Sequence, residues 1–214
     1  IELLVVIGII TILASLLLPA LGKAKASSKR VVCSGNIRQI MLSAMNYAGD
    51  NDGYVLPCRQ DPYSNIVSSG SNYWPTVLVL NGYIHDANGE IPPVFLCPAE
   101  DSSGPTQYNI GVNVQSDHRD GVAAGPDPAG THSWQDGKFH RLSRFNQMSE
   151  TLFFMDWYHL VIQEYGNNAL ADHLTQVDRH DPGYNAGFLD GRVDFIRPSD
   201  IPINTKTETF WTGQ

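Results

Sequence analysis

The sequence predicts an α+β protein: a long N-terminal α-helix, with an apolar stem and an amphipathic second half, packed on an antiparallel β-sheet head. Three observations carry this expectation. Residues 3–22 contain no charged side chain. Cys33, Ile37, Ile40, Ala44 and Tyr47 recur at spacings of three and four, the signature of one helical stripe. Residues 184–189 and 192–196 flank Asp190-Gly191, a dipeptide favoured in tight hairpin turns.

Twenty uncharged residues at 1.5 Å each span about 30 Å as a helix, one membrane crossing. Ala24-Lys25-Ala26 imitates a signal-peptidase site, but the run lacks the basic segment that opens a signal peptide, so a retained stem is expected. Glu2 stands at its entrance. A lone carboxylate in hydrocarbon is costly, so Glu2 must sit at the interface, be protonated or meet a cation. Pro19 lies inside the helical pattern, where it removes one backbone bond and clashes with the carbonyl four residues earlier, so the helix is expected to kink or loosen around residues 15–19.

No Pro or Gly-Gly break separates Leu21 from Val31. The simplest reading is one helix from Glu2 to Ala48, roughly 70 Å long, ended by Gly49, Asp50, Asn51, Asp52 and Gly53. With 214 residues and roughly 150 per domain as a guide, the chain divides into a stem, 1–26, and one head, 27–214, that includes the amphipathic half of the helix. Residues 1–30 carry a net charge of +3, whereas the remainder sets ten Lys/Arg against twenty-one Asp/Glu, a net of -11. An acidic head repels phosphate backbones, so no nucleic-acid partner is expected.

Within the head, residues 76–80 read as strand or short helix, and 94–97, 107–114 and 151–155 as strands; 111–138 reads as a long surface insertion. A two-residue turn at Asp190-Gly191 sets Phe188 opposite Val193 and so places Ala186, Phe188, Val193 and Phe195 on one face, toward the helix.

Glu2, the apolar helix and Pro19 resemble the N-terminal helix of type IV pilins and type II secretion pseudopilins, the prepilin-type methylation family. The stretch from Cys33 through Asn36-Ile37-Arg38-Gln39-Ile40 to Tyr47-Ala48-Gly49-Asp50-Asn51-Asp52-Gly53-Tyr54 is similar to a bacterial subgroup found chiefly in planctomycete and verrucomicrobial relatives. That subgroup carries a C-terminal His, nine residues, then Asp-Gly, which His180, Asp190 and Gly191 match. The resemblance implies a pilin-like fold and a structural subunit of a type IV pilus-like or pseudopilus filament. It also implies a precursor in the bacterial inner membrane, a prepilin peptidase, an assembly machinery and a homopolymer at the cell surface. Assembly would rest on Glu2, Leu3, Leu4, Val5, Val6, Ile7, Ile10, Leu13, Leu17 and Pro19, with Glu2 meeting a neighbouring subunit's N-terminal amine.

Catalytic chemistry has little support: there is no Gly-x-Ser-x-Gly elbow, Walker loop or Cys-x-x-Cys pair. His180 and Asp190 would lie about 20 Å apart along an extended strand, so a turn explains Asp190, and His180 is expected to bond a loop or the helix. Asp172, His173, Asp178, His180 and Asp181 have metal-ligand chemistry without rigid spacing; Asp178, His180 and Asp181 are the weak metal candidates. They define the rival from another class, a membrane-anchored periplasmic binding or metal-dependent hydrolytic domain. Asp50-Asn51-Asp52-Gly53 begins like a calcium loop, but Asp61 replaces the twelfth-position Glu. No cofactor is expected, although some pseudopilins hold calcium in the head, which admits such a site without placing it. Trp74, Trp134, Trp157 and Trp211 read as core or interface anchors rather than a carbohydrate platform. Three cysteines allow three pairings; Cys58 with Cys97 is the expected disulfide, leaving Cys33 as a small buried apolar side chain.

Overall fold

The computed structural model describes residues 2–56, 74–85, 91–99, 110–113, 141–156, 161–162, 180 and 182–201. Helix α1 (Glu2–Asp50) is a single element containing Pro19. The loosening expected at residues 15–19 is not seen: the helix runs unbroken. Pro19 deletes one donor, and the local side chains bond their own backbone, Thr11 Oγ1 donating to the Ile7 carbonyl (2.8 Å) and Ser15 Oγ to the Ile12 carbonyl (2.7 Å). The helix ends as expected. Asn51 N donates to the Tyr47 carbonyl and Gly53 N to that of Ala48, with Asp52 and Gly53 at φ of 52° and 78°.

Two different environments follow along α1. Its apolar first half is solvent-exposed on every side, Leu3 at 73 % and Ile7 at 51 %, whereas Cys33, Ile37, Ile40, Met41, Ala44, Tyr47 and Ala48 are buried beneath the head. This helix is long and apolar enough to cross a membrane by length and composition.

Among the described residues the head carries a five-stranded sheet formed by β1 (Gly111–Asn113), β2 (Leu152–Met155), β3 (Val161–Ile162), β4 (Tyr184–Phe188) and β5 (Val193–Ile196), in the order β3-β1-β2-β4-β5. The pairs β1-β2, β2-β4 and β4-β5 are antiparallel. β3 runs parallel to β1, so the sheet is mixed at that edge rather than wholly antiparallel. A bulge between Leu152 and Phe154 shifts the β2-β4 register and lets Phe153 and Phe154 both join the core.

Residues 76–80 take the helical of the two forms expected, within α2 (Trp74–Leu80). Another expectation is corrected: 94–97 enter a 3-10 turn, Pro93–Phe95, rather than a strand; Pro93 at its first turn fixes a helical φ. The strand expected at 107–114 is β1, Gly111–Asn113, so at least those residues are not surface insertion. Residues 114–138 lie outside the described set.

The hairpin register differs by one residue. Gly187 pairs with Val193 and Asn185 with Phe195, and Phe188 N donates to the Arg192 carbonyl at 2.8 Å. The loop therefore holds three residues, Leu189, Asp190 and Gly191. Gly191 alone among them has positive φ, 88°, whereas a type I′ turn would need it at two positions. The face toward α1 consequently carries Asn185, Gly187, Val193 and Phe195, not Ala186 and Phe188. A Cβ on Gly187 would come within 2.9 Å of Ile37 Cγ2, which confirms the facing. Phe188 lies instead with Arg192, whose guanidinium is 4.1 Å from the ring centroid. Above the helix, the core is closed by Trp74, whose ring centroid is 4.8 Å from that of Phe154 and 5.4 Å from that of Phe95.

Candidate functional site

Four polar side chains converge in this core. The α1 stripe turns Cys33 toward the sheet one turn before Ile37. At the end of β2, Asp156 N donates to the Asn185 carbonyl at 3.1 Å, so the ladder continues, and Asp156 returns to the helix-facing side two residues after Phe154. Cys97 arrives two residues after the 3-10 turn, which Asn36 Nδ2 pins to α1 by donating to the Leu96 carbonyl (3.0 Å). His180 enters just before β4.

His180 Nε2 lies 3.1 Å from Asp156 Oδ2 and 3.3 Å from Cys97 Sγ. Cys33 Sγ is 3.6 Å from Asp156 Oδ2. The four ligand-capable atoms all lie within 4.8 Å of one another. Cys33 and Asp156 are fully inaccessible, and Cys97 and His180 are buried. Asn185 clamps the carboxylate: its backbone N–H donates to Oδ1 (2.9 Å) and its Nδ2 to Oδ2 (3.0 Å).

Enclosure and proximity redistribute the charge. The neighbouring Cys33 thiol, then His180, hold Cys97 down at about 4 against the upward push of burial. Cys33 is raised by the same hydrogen bond to Cys97, then by burial and by Asp156. Burial lowers His180, but its bonds to Asp156 and Cys97 outweigh that and lift it to about 9. Asp156 is raised, since burial exceeds the opposing pull of His180. The cluster thus sets soft sulfur ligands beside harder nitrogen and oxygen ones in a buried space.

No protein-family model, curated protein or solved structure matches the chain.

The sequence-predicted residues separate in space. His180 bonds Asp156 and Cys97, whereas Asp190 Oδ1 accepts from Arg192 N (3.0 Å) within the hairpin loop; the two signature ends do different work. Leu3, Leu4, Val5, Val6, Ile7, Ile10, Leu13 and Leu17 are all exposed. Glu2 opens α1, and its side chain lies outside the described set. So do Cys58, Asp61, Trp134, Trp157, Asp172, His173, Asp178, Asp181 and Trp211, which leaves the Asp178/Asp181 metal candidates undescribed; Cys97, expected to pair with Cys58, is instead a thiol set against His180. Trp74 is core, as expected.

Sequence reasoning missed Asp156 and Asn185, and read Cys33 only as apolar filler. One signal pointed to Asp156: an acid that directly follows the apolar run Leu152-Phe153-Phe154-Met155 must either leave the core or meet partners in it.

Proposed function

We propose that the chain is the structural subunit of a type IV pilus-like or pseudopilus filament and is not an enzyme. On this reading it is inserted in the bacterial inner membrane by its stem, processed by a prepilin peptidase, then extracted so that stems bundle into a core with acidic heads outside. The supporting observation is the division within α1: one unbroken helix whose apolar half is bare all round while its other half lies under a sheet. A helix apolar on every side is stable in water only among neighbours, and lipid or other stems are the neighbours available to it. The pilin resemblance of Glu2 and Pro19 supports the second.

The rival, a membrane-anchored binding or hydrolytic domain built on residues 172–181, loses the one described member of that cluster, because His180 turns inward. Electron microscopy of sheared cell-surface material tests the choice. Thin filaments made of this chain are expected, with Glu2→Ala abolishing or strongly reducing them, since a buried charge-assisted pair fixes register between subunits. Wild-type filament yield from Glu2→Ala, or recovery of the chain only as a detergent-extracted monomer, would overturn the proposal.

A further inference from the structure

We propose that Cys33, Cys97, Asp156 and His180 form a structural zinc site that fastens the head to α1. The residue set is right for the metal: two thiolates, an imidazole nitrogen and a carboxylate oxygen are all established zinc ligands, and structural sites are closed and four-coordinate. Three of the six spacings match as well, and all four ligand atoms lie within 4.8 Å of one another. Bond lengths of about 2.3 Å to sulfur and about 2.0–2.2 Å to nitrogen and oxygen give tetrahedral edges of roughly 3.5 Å between sulfur and nitrogen, 3.6 Å between sulfur and oxygen, and 3.4 Å between nitrogen and oxygen. The corresponding separations are 3.3 Å for Cys97 Sγ and His180 Nε2, 3.6 Å for Cys33 Sγ and Asp156 Oδ2, and 3.1 Å for His180 Nε2 and Asp156 Oδ2.

Hydrogen bonding alone serves this arrangement poorly. His180 Nε2 faces both Cys97 and Asp156 but carries at most one proton, which must be shared between them. A cation at the centre uses all four groups at once. Asn185 then has a definite task, since two donated hydrogen bonds fix the carboxylate while leaving Oδ2 facing the other ligands, the support that metal ligands ordinarily receive from their surroundings. Zinc takes two thiolates and a neutral imidazole, so binding displaces two protons from the cluster to solvent and leaves a site of net charge -1, which the Asn185 donors offset. The four ligands come from α1, the segment after the 3-10 turn, the end of β2 and the approach to β4, so one ion would tie together segments far apart in the chain.

Full-length protein purified in detergent micelles should contain stoichiometric zinc by elemental analysis. After exchange to Co²⁺ it should show the intense visible bands of tetrahedral cobalt and a thiolate charge-transfer band in the near ultraviolet. Cys97→Ser should remove much of the charge-transfer intensity, and Asn185→Ala, which keeps all four ligands, should weaken zinc binding by about 10–100-fold. Three results would overturn the site: a Cys33–Cys97 disulfide in unreduced protein by mass spectrometry, a weak octahedral cobalt spectrum, or a tetrahedral spectrum indifferent to Cys97→Ser. The wild-type cobalt spectrum decides even if the variants fail to fold. Loss of this proposal leaves the filament proposal standing, because the stem takes no part in the site.

Discussion

Two glycines show how closely the hairpin is fitted. A Cβ on Gly187 would stand 2.9 Å from Ile37 Cγ2 and 3.0 Å from Met41 Cγ and Sδ; one on Gly183 would overlap the backbone carbonyl oxygen of Ile196. Met41 can swing aside, whereas a β-branched methyl and a strand carbonyl cannot. Gly187→Ala is therefore expected to cost about 1–3 kcal/mol, and Gly183→Ala more, as read from denaturant midpoints of the detergent-solubilised chain. At the helix exit, Tyr83 donates its hydroxyl to Asp50 Oδ2 at 3.0 Å. Burial first, then that bond, push the Tyr83 phenol above its usual value of 10.0. A phenol raised in the folded state contributes stability that is complete below pH 10 and is lost as pH rises through the folded value, because the unfolded chain ionises first. Tyr83→Phe should flatten that alkaline decline, and comparing denaturation at about pH 9 and about pH 11 would show it.

At the scale of elements, the uniform Leu/Ile/Val content of the stem and the three-four spacing beyond Cys33 made α1 legible, since both are periodicity signals that tertiary context did not override. Asp190-Gly191 announced a hairpin but not its loop length. Asp-Gly suits both a two-residue loop and a three-residue loop with glycine in the left-handed region, and the difference moves every side chain of β4 to the opposite face. Asn185 was hidden for the same reason: a polar residue on the helix-facing side is unexpected until Asp156 is known to need it. Cys33, Cys97, Asp156 and His180 are separated by 64, 59 and 24 residues, so no local spacing could have assembled them. α1 also tolerates Pro19 without interruption. Pro19→Ala should accordingly leave the helical content of the micelle-bound chain unchanged by far-ultraviolet circular dichroism, while stabilising it by up to about 3 kcal/mol. A large gain in helicity would mean that the stem is broken there.

For the molecule as a whole, apolar stem and acidic head imply different responses to solvent. Stem packing removes apolar surface from contact with anything but other stems or lipid, and salt does not screen it. Heads, residues 27–214, carry a net -9 apiece, so their mutual repulsion falls as ionic strength rises. Filaments should thus survive high salt and chelators but disassemble in detergent, which replaces the stem's neighbours. Turbidity or sedimentation across the three conditions would report this. Disassembly by a chelator that leaves the heads folded by circular dichroism would mean that metal-bridged heads hold the polymer.

Because α1 is unbroken from Glu2 to Asp50, the head has no swivel. Contacts with it begin near Arg30, whose guanidinium lies 4.7 Å from the Phe195 ring centroid and whose carbonyl accepts from Asn185, and residues 23–28 are bare helix between the two halves. That bare stretch acts as a phase-setting shaft. One residue inserted after Ala26 would turn the head by about 100° relative to the stem and shift it by about 1.5 Å. Seven residues would bring it back to within about 20° of its first azimuth, displaced by about 10 Å. Polymer yield should therefore collapse on inserting a single alanine and recover in part with seven, a periodic dependence on insert length that a flexible linker would not produce.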